Sequence, residues 1–494
     1  MIIKRNEMDR PTNNSLQYLT TVRPHKINRE NLLVDQFVHE TLSESLGIDV
    51  VEEFGQYTRS FYTLEGHYHN LWKYDRIILP KPDDPLLDMA IERTRYEYQL
   101  PTKVKSIGWD SLAEVPFISS SSSGWGFVGK KGAPGNHEKA ISKAVLSLKW
   151  WLEDKQNGTN TFRYHPDLAW TRTQMGTVED PKIRSVWGKS FDNIILEGIT
   201  ASPLINAYRI GTTPMPVGMN YYKRLPTMIN QSLYDGNTHY YGVGIDLKSF
   251  DSSVQPWLIN ESFNILEQNI DFTDDMGRRS FEYSKEFFIH TPVVMPDGRM
   301  WLKHVGVPSG SYFTQMIDSI ANSIATHYAQ LCIYGQMFRT YCLGDDSLFG
   351  VPVGFGRPEL STFAEHYAKV GMLLHPDKGI VATRPDQLEF LGHCASGSRV
   401  DRETAAMMRL ALYPEHPVYG PAQSMNRVKG ILLDSAMNSW PMIHLHNIMM
   451  SRYRNELMTA EDTFIGSDKD WLIAVLNIAE PPSHINEVTT FLLT

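Results

Sequence analysis

The chain has 494 residues, 42% of them hydrophobic, enough for several subdomains around a sizeable core. A net charge of −9 at pH 7 excludes a surface coated in basic residues for nonspecific nucleic-acid binding, but not a local basic channel. Three cysteines (Cys332, Cys342, Cys394) without metal-ligand or redox spacing exclude a disulfide framework.

The opening stretch "MIIKRNEMDRPTNN" lacks an apolar signal core, and no apolar run reaches membrane length, so a soluble intracellular protein is expected. The first distinctive segment is "SSSSSG" (Ser119 to Gly124), which opens the Gly/Lys-rich loop "GWGFVGKKGAPGN". Gly124, Gly126 and Gly129 formally match a dinucleotide fingerprint. The glycines lead into a second loop with Pro134, and serines stand where a buried strand is required, so contact with a phosphate backbone beside Lys130 and Lys131 is the better reading. A helix is expected next, with Asn136 as its N-cap.

From about residue 240 the pattern becomes regular. "YYGVGID" predicts a strand ending at Asp246, and a helix follows from near Pro256 with Leu258, Ile265 and Leu266 on one face. A polar insert carries a hairpin at "MPDGRM". The loop "GVPSGS" (Gly306 to Ser311) precedes a helix whose apolar positions are Phe313, Ile317, Ile320, Ile324 and Leu331. On its other side Thr314, Asp318 and Asn322 recur every four residues, as a solvated stripe or one facing a ligand. The hairpin around "CLGDDSLFG", a helix with Leu360, Phe363, Tyr367 and Ala368 inward, and a short strand "MLL" before "HPDKG" complete the series. Strand, helix, hairpin, helix, strand is a split β-α-β arrangement, an antiparallel sheet with two helices on one face. Residues after about 400 read as mainly helical.

Asp345 and Asp346 sit side by side at the hairpin tip. Alone, they read as a type I′ turn with solvated acids. Beside a strand ending at Asp246, three carboxylates converge on one rim, and such a cluster repels itself unless protonated or neutralised by cations. Oxygen ligands open on one side suit Mg²⁺, which keeps water and substrate phosphate in its shell. Asp251, five residues after Asp246, is either a helix N-cap or a polar group that reads a sugar hydroxyl.

Together these segments resemble the viral RNA-dependent RNA polymerases. "DLKSFD" resembles motif A of that family, "PSGSYFTQMIDSIANS" motif B, "GDDS" motif C, "HPDKG" motif D and "EFLGH" motif E. "PKIRSVWG" (Pro181 to Gly188) resembles the basic motif F, and "SSSSSGWG" stands where motif G belongs. Seven motifs in order, across roughly residues 119 to 393, make the likeness specific. "VQPWLI" and "GDDSL" bring it nearest to partitivirus polymerases, from double-stranded RNA viruses.

The resemblance implies an α+β right-hand polymerase with a ferredoxin-like split β-α-β palm. Residues 1–239 are expected to hold an N-terminal extension and fingers, 240–270 palm, 271–303 a fingers insert, 304–400 palm, and 401–494 the thumb and C-terminal region. Asp246 and Asp345 would be ligands of two Mg²⁺ ions, with Mn²⁺ as a substitute and Asp346 as an auxiliary acid. Asp251 would select ribose. Ser309, Gly310 and Thr314 would position nucleotide and template, and Lys182 and Arg184 would clamp the triphosphate. Lys378 would donate a proton to departing pyrophosphate. Ser122, Ser123, Gly124, Lys130, Lys131 and Lys189 would line the RNA path. Many relatives carry asparagine where Asp318 stands, so either Asp318 or Asn322 would sense the sugar. RNA template and product, NTPs and a capsid protein are the implied partners, no membrane is, and the implied place is the host cytoplasm, inside the virion. A reverse transcriptase and a noncatalytic, capsid-associated RNA-binding protein with a polymerase fold are the competing readings.

Overall fold

The computed structural model describes residues 13–457 other than 26–32, 48–50, 53–54, 60–61, 160, 162, 180–182, 212 and 220, so Lys182 and residues 458–494 fall outside the description. In chain order, the first half contributes β1 (Leu16–Thr21), α1 (Gln36–Leu46), α2 (Pro85–Glu97), α3 (Asn136–Asn157), β2 (Asp167–Thr173), β3 (Ile183–Gly188), α4 (Phe191–Ile210) and α5 (Tyr221–Gln231). Next come β4 (Thr238–Ile245), α6 (Pro256–Glu267), α7 (Asp275–Ile289), β5 (Thr291–Val294) and β6 (Arg299–Lys303). The rest is α8 (Thr314–Tyr334), β7 (Thr340–Leu343), β8 (Asp346–Pro352), α9 (Leu360–Lys369), β9 (Ile380–Ala382), α10 (Thr404–Leu412), α11 (Pro421–Asp434) and α12 (Trp440–Arg452).

Two sheets organise the molecule. The hairpin at Met295 to Met300 turns where Val294 pairs with Met300. It carries β5 and β6 into a five-stranded sheet of order β1-β6-β5-β2-β3. The second sheet has the order β7-β8-β4-β9 with every pair antiparallel. Residues 242 to 245 of β4 form a buried run instead of an alternating one, because both faces of the sheet are covered. Val243, Ile245, Phe349 and Val351 enter the main core with α6, α8 and α9. On the opposite face Leu348 and Ala382 meet Leu225, Met228 and Ile229 of α5. The helix α8 is buried around its whole circumference from Met316 to Leu331, which makes it the central strut of the core.

Three local expectations need correcting. The "MLL" segment is no strand: Leu374 makes one isolated bridge to Leu247, beyond the end of β4, and the second sheet takes Ile380–Ala382 as its fourth strand. Lys378 therefore precedes the last strand. Ala368 is exposed, and Leu360, Phe363 and Tyr367 form the inner face of α9 without it. Gly135 holds the N-cap place of α3, while the Asn136 amide donates to the carbonyls of Val128 and Lys130, both at 2.9 Å, and fastens the Lys-rich loop.

Helices α10 to α12 share a core with α1, in which Val38 and Leu42 pack with Met407, Val428, Leu432 and Leu445. The buried Asp35 caps α1 and pairs with Arg427 on α11. All three cysteines are unpaired thiols. Among the described residues no helix is long and apolar enough to cross a membrane.

Candidate active site

The β7–β8 register sets Leu343 opposite Asp346, leaving Gly344 and Asp345 as a two-residue turn. Gly344 has φ +68° and Asp345 does not share the positive φ, so the turn has the type II′ pattern, not the type I′ expected for a bare Gly-Asp. Ser347 pairs with Ile245, so Asp246, the residue after β4, arrives beside the hairpin tip. Asp246, Asp345 and Asp346 are all solvent-accessible.

Their mutual field is strong. Enclosure by surrounding protein, then Asp345, Glu389 and Asp246, push Asp346 up to about 7, against a smaller opposing pull from Arg184. Glu389 belongs to this cluster, and sequence reasoning quoted it inside "EFLGH" without giving it a role. Among the described residues no group of three or more His, Cys, Asp or Glu side chains is arranged to hold a metal ion by itself. The carboxylates make an open, oxygen-only rim, the donor set of a hard cation whose shell is completed by water and phosphate. The donor set therefore fits Mg²⁺. The His375 N–H donates to the Asp246 carbonyl at 3.0 Å, tying the "HPDKG" loop to the rim, and the Lys378 side chain is exposed on that loop.

The polar stripe of α8 does not face water: Asp318 and Asn322 are buried. The Asn322 amide donates to the carbonyls of Gly344 at 3.1 Å and Asp345 at 2.9 Å, and the Ser319 hydroxyl accepts from the Gly344 N–H at 2.9 Å. Asn322 thus holds the acidic turn. Asp318, one turn earlier, has its Oδ1 buried without a hydrogen-bond partner, and burial, then Asp251 and Asp345, raise its carboxyl well above the usual range. Asp251 lies in a short 3₁₀ turn, and the N-cap place of α6 belongs to Gln255, so the capping reading fails. Burial raises Asp251 too, opposed by Arg184 at 3.9 Å.

Arg184 projects from β3. The Ser309 hydroxyl accepts from the Trp187 N–H at 3.2 Å and donates to the Ser185 carbonyl at 3.3 Å. Gly310 packs so closely that an added Cβ would lie 1.9 Å from the Trp187 carbonyl oxygen. The Thr314 hydroxyl donates to the Pro308 carbonyl at 2.7 Å.

The expected RNA contacts divide. Ser122, Gly124 and Lys131 line a cavity of about 660 Å³ together with Trp170, Arg172, Trp187 and Gly310. Lys130 is exposed on the same loop. Ser123 is buried and donates to the Gly129 carbonyl at 2.7 Å, so its hydroxyl is spent inside the loop. Gly124 is a packing glycine as well, since a Cβ there would lie 2.6 Å from the Lys189 carbonyl oxygen. Lys189 also borders this cavity, but its side chain is buried. Its ammonium is buried between Asp167 at 3.3 Å and Glu197 at 3.6 Å, and leaving that site would strand two buried acids. Trp170 and Arg172, two apart on β2 and so on one face, were missed; that spacing is the signal that could have found them.

A family model described as viral RNA-dependent RNA polymerase matches residues 47–443, well over half of the chain. The chain belongs to this family. The RNA-directed RNA polymerase of Cryptosporidium parvum virus 1 (strain KSU-1) is 35% identical over 144 residues, covering 28% of this chain and 27% of that protein. The RNA-directed RNA polymerase of White clover cryptic virus 1 (isolate Boccardo/2004) is 24% identical over 232 residues, 42% of this chain and 37% of that one. The matches thus span well under two thirds of these relatives' lengths. The crystal structure of the RNA-dependent RNA polymerase of a human picorbirnavirus superposes with a TM-score of 0.65 at 14% identity, over 91% of this chain and 89% of that one. The fold is the right-hand polymerase fold.

Proposed function

We propose that this protein synthesises RNA on an RNA template by nucleotidyl transfer, replicating and transcribing a double-stranded RNA segment of a viral genome. The pairing of Ile245 with Ser347 carries the reading, because it gathers Asp246, Asp345 and Asp346 at one end of the palm sheet. In-line displacement at a phosphate needs positioning and charge stabilisation more than covalent help.

Asp246 and Asp345 would hold two Mg²⁺ ions, with Asp346 as the auxiliary acid; bound there, the ions stabilise the attacking and leaving oxygens. Asp251 accepts from the ribose 2′-hydroxyl, with Asp318 beside it. Arg184 orients the triphosphate, and Lys378, on the loop hung from Asp246, supplies the proton that pyrophosphate takes. The template strand follows the cavity beside Lys131 and Arg172, with Trp170 and Trp187 as stacking surfaces. "VQPWLI" and "GDDSL" support a partitivirus-like source. A capsid protein partner and a place inside the virion, in the host cytoplasm, belong to the same reading.

The test is incorporation on an RNA template with Mg²⁺ and either NTPs or dNTPs. NTP incorporation is expected. Preference for dNTPs would establish a reverse transcriptase instead, and RNA binding without any incorporation would establish the noncatalytic reading.

A further inference from the structure

Four charged side chains are buried together away from the acidic rim: Asp167 on β2, Lys189 just after β3, Glu197 on α4 and Lys303 at the end of β6. Lys189 lies between the two acids, with its ammonium 4.4 Å from the centre of the Phe287 ring. Lys303 donates to the carbonyls of Phe288 at 2.7 Å, Ile289 at 3.1 Å and Gly306 at 2.7 Å. Lys189 pairs with both acids, Lys303 is held by backbone carbonyls, and burial pushes the Lys303 ammonium well below its ordinary value.

Two of the four reach the loop Gly306–Tyr312, one at each end. Lys303 binds the Gly306 carbonyl, and Glu197 Oε2 accepts from the Tyr312 N–H at 2.8 Å, with the Ser311 hydroxyl as a further partner. Between those ends the Val307 N–H donates to the Asp251 carbonyl at 2.6 Å, and the buried Tyr74 hydroxyl donates to the Val307 carbonyl at 3.1 Å. The loop then runs into α8, whose Ser319 and Asn322 hold the Gly344–Asp345 turn. A displacement of this loop is therefore transmitted to Asp251 on one side and to the acidic turn on the other.

We infer that Glu197 and Lys303 are positioning residues that clamp the two ends of the Gly306–Tyr312 loop and so fix Asp251 and α8 for nucleotide binding. The inference rests on the polymerase reading for its functional consequence, though not for the clamp itself. Glu197→Ala removes the acceptor of the Tyr312 N–H, whereas the amide oxygen of Glu197→Gln keeps it.

Hydrogen exchange over residues 306–313 should rise about tenfold or more in Glu197→Ala and stay within about twofold of the parent in Glu197→Gln. Steady-state incorporation should show KM for NTP raised about tenfold in Glu197→Ala, kcat changed by less than about threefold, and both restored in Glu197→Gln. If Glu197→Ala does not fold, Glu197→Asp, whose shorter side chain draws the acceptor back from the Tyr312 N–H, carries the same comparison with a smaller shift. Unchanged exchange in the loop would overturn the clamp. Raised exchange with unchanged KM, or activity loss that follows only the folded fraction, would overturn its role in nucleotide binding. The exchange measurement needs no catalysis, so an inactive parent protein would sink the polymerase reading and still leave the clamp decided.

Discussion

The acidic rim and the buried group around Lys189 hold similar numbers of charged side chains in opposite electrostatic states. At the rim Asp246, Asp345 and Asp346 are like-charged, and enclosure by protein, then repulsion from Asp345, Glu389 and Asp246, lifts Asp346 to about 7. In the interior Lys189 and Lys303 are buried with Asp167 and Glu197, and each charge faces an opposite charge or carbonyl dipoles. Uncompensated like charge is costly unless a proton or a cation answers it, which is the role proposed above for Mg²⁺. Compensated charge without water is scaffolding, and removing one member leaves the others stranded.

That contrast breaks in measurable ways. Asp345→Asn should lower Mg²⁺-dependent incorporation by about a thousandfold or more, ~4 kcal/mol of transition-state stabilisation, with the melting temperature preserved. Retained activity would remove Asp345 from the rim's chemistry. Lys189→Met should do the reverse, costing about 3–5 kcal/mol of stability in denaturant titration because Asp167 and Glu197 lose their shared cation. The salt dependence of RNA binding by its folded fraction should be unchanged, and a reduced salt slope would return Lys189 to the RNA path. Asp251→Ala should erode preference for NTP over dNTP by roughly 1–2 kcal/mol, about five- to thirtyfold, since a site built to bond a hydroxyl rejects its absence. Equal discrimination in parent and variant would reassign the sugar contact. Arg172→Ala should reduce the slope of log affinity against log salt by about one phosphate contact and leave stability near the parent's. As the smallest effect, Arg278→Ala on the exposed pair with Glu267 should change stability by less than about 0.5 kcal/mol.

Much of the palm was legible because its signals are local. The strand ending before Asp246, the helix from Pro256, the apolar face of α8 and the tight turn at Gly344–Asp345 each follow from residue pattern within a few turns of chain. The failures share one physical cause. "MLL" is apolar enough for a strand, but β4 has ended where it passes, so the ladder falls to Ile380–Ala382 instead. Asn136 looked like a cap until its amide was seen to hold the loop behind it. Lys189 and Lys131 both read as basic residues near a phosphate path, and burial alone separates them.

The amino-acid sequence determined by itself the chemical inventory and its order: the carboxylates at 246, 345 and 346, the small residues of the Gly306–Ser311 loop, and the apolar periodicities between them. Tertiary structure decided which charges are answered. Pairing Ile245 with Ser347 brings three acids together across a hundred residues of chain. Burying α8 turns Asn322 into a support for the turn and leaves Asp318 facing Asp251 without a hydrogen-bond partner for its Oδ1. Charge interactions depend on distance and on the surrounding dielectric, and neither is fixed until the chain has folded around the charges.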